Sequence, residues 1–194
     1  ASAQTVGFTF NQEAETLFQR ALARYIQETY PEALLGFQEL IEKYPPNQRT
    51  SAAKLMLSKT HFKLKAYNLS YAAAVDLQIE FPDSRYLPDT DLVIGDCFFH
   101  QGQVYSSAAQ YARILTRKGD LRIKARVSDR LGQMASADRL TDRDIDRLKS
   151  DFGRAIIDEA IAFGEARWPL HLGHPEETTK RLALFLERYP NWVK

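Results

Sequence analysis

Ala14–Pro45 reads AETLFQRALARYIQETYPEALLGFQELIEKYP, and Ser51–Pro82, 37 residues further on, reads SAAKLMLSKTHFKLKAYNLSYAAAVDLQIEFP. At that interval Tyr44-Pro45 falls on Phe81-Pro82, and Tyr25 falls on Phe62 and then Phe99. Leu40 falls on Leu77 and Ile114, and the small residue Ala21 falls on Ser58, Gly95 and Gly132. A fixed period of this size marks stacked copies of one supersecondary unit. It predicts a solenoid, whose working part is an extended curved surface that holds other molecules. The period therefore points to an interaction scaffold and leaves the partner unnamed.

Within each copy the apolar spacing is helical. Ala14, Leu17, Phe18, Ala21, Leu22 and Tyr25 follow the i, i+3, i+4, i+7 pattern of an amphipathic helix. Asn11 is its expected N-cap, with Glu13 and Glu15 in the positive first turn. Pro31 suits the start of a second helix that carries Leu34, Phe37, Leu40 and Ile41 and stops at Tyr44-Pro45-Pro46. Further helices are expected near 51–65 and 68–81, near 88–101 and 104–118, over 121–137, from Thr141, over 152–168 and over 176–189. The third pair is expected to stop at Lys118-Gly119-Asp120, and Thr141 and Asp144 form a capping-box-like start to the fourth pair's second helix. No alternating strand pattern bounded by hairpin turns competes, so the chain reads as all-α. The period fades after Gly132 and returns, shortened, at Tyr189-Pro190.

Composition narrows the functional classes. Among 194 residues, 26 Lys+Arg stand against 25 Asp+Glu, and a net charge of +1 is no electrostatic footprint for nucleic acid. No apolar run approaches the roughly 18 residues needed to span a bilayer. Cys97 is the single cysteine; it lies in an apolar stretch and reads as a small buried hydrophobe, with no nucleophilic role. His171 and His174 have a possible ligand spacing, but Gly173 and Pro175 place them in a turn, and no metal is expected there. No phosphate loop, nucleophile elbow or zinc-protease motif occurs, so neither an enzyme nor a cofactor is expected.

The residues resemble a tetratricopeptide (TPR) repeat protein. Tyr30-Pro-Glu-Ala33, Phe37, Leu40 and Pro45 stand at TPR spacings, as do Tyr67, Ala74, Leu77 and Pro82. Gly95, Gly102, Ala108 and Leu115 follow in the third unit, and Ala166, Leu182, Phe185 and Pro190 in the fifth. Leu17-Phe18 with Ala21, and the ending Phe81-Pro-Asp-Ser84, look like envelope TPR proteins of the BamD and TolA-binding (CpoB) type. The chain is also similar to the TPR-like N-terminal region of penicillin-binding-protein activators. It departs from the BamD pattern in lacking a lipid-anchor cysteine and in its irregular fourth repeat. The resemblance implies a right-handed α-solenoid of about five TPR-like helix hairpins. Residues 1–11 would be a tail, and 12–194 a single superhelical domain forming the N-terminal part of a longer protein. It also implies a non-catalytic scaffold in the periplasm or cell envelope that binds a protein or peptide through its concave face. The alternative is an accessory or dimerisation module attached to a periplasmic solute-binding domain.

In such arrays the first helix of each pair lines the concave face. The ladder Tyr25, Phe62, Phe99 then offers an aromatic stripe for an extended peptide or a partner helix. Lys59 and Asp96 flank it in one neighbouring row, and Lys63 and His100 in the other. The same rings also suit packing between helices, and the same charges suit an ordinary solvated face. Asp138–Arg147, dense in alternating charge, reads as an exposed salt-bridged helix or a docking edge. Leu182, Leu184, Phe185, Leu186, Trp192 and Val193 crowd the C-terminal end, which suggests a following unit or self-association there. Ala1-Ser2-Ala3 fits either a signal-peptide remnant or a cloning scar.

Overall fold

The computed structural model describes residues 10–117 and 121–192. The tail Ala1–Ala3, the Lys118–Asp120 stop and Val193 lie outside them. Among the described residues there are ten helices and no strand. The chain is all-α. It divides into two compact units, one ending at Cys97 and the other beginning at Phe98.

The first unit contains α1 (Gln12–Ile26), α2 (Tyr30–Lys43), α3 (Thr50–Lys63), α4 (Tyr67–Glu80) and α5 (Leu87–His100) as far as Cys97. The Asn11 side chain caps α1 by accepting from the Ala14 amide at 2.9 Å. Helix α1 packs on α2, α2 on α3 and α3 on α4, and α1 also touches α3. Ala14, Leu17, Phe18, Ala21, Ala33, Phe37 and Leu40 bury together with Ala52 and Ala53 of α3. Close approach sets the crossings. A Cβ on Gly36 would lie 2.8 Å from that of Ala21. In the next pair Ser58 donates to the Ser70 carbonyl at 2.7 Å, and Ser70 donates back to the Ser58 carbonyl at 2.9 Å.

The loop after α2 is pinned to the start of α1. Arg49 donates twice to the Glu15 carboxylate, at 2.5 and 2.6 Å, and its guanidinium lies 4.8 Å from the Phe18 ring centre. Gln48 and Asn11 exchange hydrogen bonds of 2.9 and 3.0 Å. Along α5 every residue from Thr90 to Cys97 is buried.

The second unit contains α6 (Val104–Leu115), α7 (Leu121–Ser136), α8 (Asp142–Phe152), α9 (Arg154–His171) and α10 (Pro175–Arg188). Its fourth pair departs from the expected hairpin. Helix α7 takes α9 as its main partner, and α8 packs on α9 and α6. The reason is glycine. A Cβ on Gly132 would stand 2.3 Å from the Cα of Gly164, so α7 and α9 meet backbone to backbone. Helix α8 is nonetheless well started, by the expected capping box between Thr141 and Asp144. The charged stretch there is a solvated helix face. Arg147 pairs with Asp151 at 3.7 Å and covers the Tyr105 ring at 4.4 Å.

The C-terminal end is partly enclosed. Phe185 and Trp192 bury against Phe163 and Ala166. The Trp192 ring stacks on Phe163 at 4.6 Å, and Lys124 lies 3.9 Å from the centre of its ring. Only part of the apolar set stays outside, with Leu184 64% and Leu186 44% exposed.

One turn recurs in both units. After α1, α3, α5, α7 and α9 the chain passes through a residue of positive φ: Glu28, Lys65, Gly102, Asp138 and Gly173. In each case the next amide reaches back five residues, as from Thr29 to Arg24, Ala66 to His61, Gln103 to Phe98, Arg139 to Met134 and His174 to Pro169. The positive-φ amide reaches back three, from Glu28 to Tyr25 and from Lys65 to Phe62. This is the Schellman closure of a helix C-terminus.

Candidate functional site

The expected partner-binding residues fall into separate groups. In the first unit Tyr25 ends α1 half-buried, edge-on to Tyr30 with ring centres 5.5 Å apart. Lys63, exposed at the end of α3, places its ammonium 6.0 Å from the Tyr30 ring centre. Tyr25, Tyr30 and Lys63 therefore form one aromatic and cationic cluster, built from α1, α2 and α3. Phe62 is half-buried and meets Tyr67 edge-on at 5.4 Å. The same ring pair thus closes both helix junctions. Its second member, Tyr30 or Tyr67, stands at a TPR spacing in the sequence and was not expected among the partner-binding residues, although the two tyrosines also lie 37 residues apart.

The flanking charges behave differently. Lys59 is bound to Asp89 at 2.9 Å, both side chains being 29% exposed. Asp96 is buried within α5. Burial holds the Tyr25 hydroxyl above its ordinary pKa, with Tyr30 adding to the effect, so it stays a neutral donor. Burial also raises the Cys97 thiol, the reverse of what a reactive cysteine needs.

In the second unit Phe99 is half-buried and His100 exposed, their rings edge-on at 5.8 Å. Phe99 lines a pocket of about 200 Å³ with Tyr111, Arg130, Met134, Arg139 and Trp168. A larger open cleft of about 630 Å³ lies along the α9–α10 turn, from Trp168 and Pro169 through His174 to Arg181. Trp168 lines both. His171 and His174 part company at that turn. His171 contacts Asp129 at 3.2 Å and Gln133 at 3.0 Å, while His174 lines the cleft. Among the described residues no group of three or more His, Cys, Asp or Glu is placed to hold a metal ion. No described helix is long and apolar enough to cross a membrane.

No protein-family profile matches the chain, and comparison with curated proteins returns no match. Half-buried rings with cations at their edges can hold an apolar side chain and orient a polar group beside it.

Proposed function

We propose that the chain is a non-catalytic protein-interaction scaffold of the tetratricopeptide type, belonging to a bacterial cell-envelope protein. It holds a peptide or protein partner on the concave face of a right-handed superhelix of helix pairs. The recurrence of one Schellman closure after α1, α3, α5, α7 and α9 carries this reading. Each of these helices ends in the same turn even where the sequence period fades, and α1 with α2, α3 with α4 and α9 with α10 pack as hairpins, the pattern of stacked repeats. The ring pairs Tyr25–Tyr30 and Phe62–Tyr67, with Lys63 beside Tyr30, supply the contact chemistry of the groove. The envelope location rests on the resemblance to envelope TPR proteins.

Partner capture from envelope extract tests the reading. Phe62→Ala and Lys63→Glu should each reduce the captured partner at unchanged helicity. Capture that is indifferent to both changes counts against the groove. Loss of helicity in Phe62→Ala alone would make that ring core, and Lys63→Glu would then decide.

A second reading has its own support. Leu35 of α2, Leu69 and Ile79 of α4 and Leu184 of α10 are 66, 57, 72 and 64% exposed. Exposed apolar groups of this kind suit an accessory or dimerisation module beside a solute-binding domain. Sedimentation velocity over a concentration series separates the two, because concentration-dependent association is expected only of the second.

A further inference from the structure

We infer that the pocket between Phe99 and Trp168 is an anchor site for one apolar side chain of an acidic peptide segment. The inference rests on the scaffold reading and names the partner's chemistry at one place. Size excludes most alternatives. At about 200 Å³ the pocket is smaller than the roughly 300–1,000 Å³ of ordinary small-molecule sites, but it can admit a single leucine or phenylalanine side chain.

The lining decides the rest. Tyr111 and Met134 are 1 and 3% exposed and make an apolar floor. Phe99 and Trp168 are half-buried walls. Gln133 is held at the edge by a 3.0 Å bond to the Asp129 carboxylate, and that carboxylate is itself engaged by Arg167 at 3.6 Å and His171 at 3.2 Å. Among the described residues the charged lining is Arg130 and Arg139, with no acidic side chain. An apolar floor under a cationic rim is complementary to a hydrophobic residue flanked by Asp or Glu. Methionine on the floor adapts to either an aliphatic or an aromatic guest.

The test uses a fluorescein-labelled heptapeptide, blocked at both ends, with a central phenylalanine and three acidic residues on each side. Fluorescence anisotropy against the whole chain should give a Kd in the micromolar range, roughly −8 kcal/mol at 1 μM. Arg139→Glu, at an exposed position, should weaken binding about tenfold or more at an unchanged melting temperature. Serine in place of the peptide's phenylalanine should abolish binding, and glutamine in place of its acids should remove the salt dependence with most of the affinity. No binding at millimolar peptide overturns the inference, as does binding that Arg139→Glu leaves intact. A preference for a neutral peptide with a free C-terminal carboxylate also overturns it, since the pocket would then be a terminus receptor. If the Phe62 and Lys63 variants lose partner capture while the acidic peptide fails to bind, the scaffold reading stands and only this inference falls.

Discussion

Gly132 of α7 and Gly164 of α9 touch through their backbones: a Cβ on Gly164 would lie 2.5 Å from the Cα of Gly132, and one on Gly132 would lie 2.3 Å from the Cα of Gly164. Neither contact ends on a flexible side chain, so an added methyl must force the helices apart. Gly132→Ala should therefore cost about 3 kcal/mol and lower Tm by roughly 5–10 °C. Gly102→Ala is the control. Its φ is +77° and nothing lies within 4 Å of its Cβ position, so only backbone strain of about 1 kcal/mol is expected. Thermal unfolding followed by circular dichroism would compare them; equal losses would refute the backbone contact.

The helix-ending turns predict a gain. Lys65 sits at φ 61° at the end of α3, where an L-residue is strained and glycine is not. Lys65→Gly should stabilise by about 0.5–1 kcal/mol, seen as a higher urea midpoint at unchanged m-value. Glu28→Gly, one period earlier with φ 62°, should behave alike.

Acid should weaken the first unit in two windows. Burial lowers the His61 pKa from its ordinary 6.5, so the fold favours neutral imidazole. That contribution is present above about 6.5 and declines as pH falls below it. The Arg49 hydrogen bonds, aided by Gln19, lower Glu15 from 4.5 to about 2. Its contribution is present above 4.5 and is lost as pH falls toward 2. His61→Gln should flatten the upper window of a Tm–pH curve, and Glu15→Gln the lower. A curve unchanged by either substitution would contradict the assignment.

Serine substitutions should split by sign. Ser58 and Ser70 exchange buried hydrogen bonds, and Ser58→Ala should cost about 1–2 kcal/mol. Among the described residues the buried Ser128 hydroxyl, near the Gly132–Gly164 crossing, has no hydrogen-bond partner. Ser128→Ala should be neutral or stabilising by up to about 1 kcal/mol. Urea unfolding of both variants checks the contrast.

Helix positions were legible because periodicity and caps are local. Asn11, Pro31, Thr141 and Tyr189-Pro190 mark real boundaries to within a residue or two. Gly132 was legible as a small residue in phase with Ala21, Ser58 and Gly95. Its partner was not, because Gly164 stands 32 residues on, out of phase, and only three-dimensional contact pairs them. That pairing diverts α7 from α8, which is why the fourth repeat reads as irregular. The turns were half hidden for a related reason. Gly102 and Gly173 announce a positive φ, whereas Glu28, Lys65 and Asp138 adopt the same geometry without the residue that signals it. At the candidate site, Phe99 was visible through its period. The pocket was not, since Tyr111, Met134 and Trp168 come from three helices and share no spacing.

The buried run of α5 has a practical consequence. Cys97 is fully enclosed and is the chain's one thiol. It can meet an alkylating reagent only when the surrounding helices part. Its labelling rate is therefore a built-in clock for local opening around Cys97, readable by mass with no engineered probe.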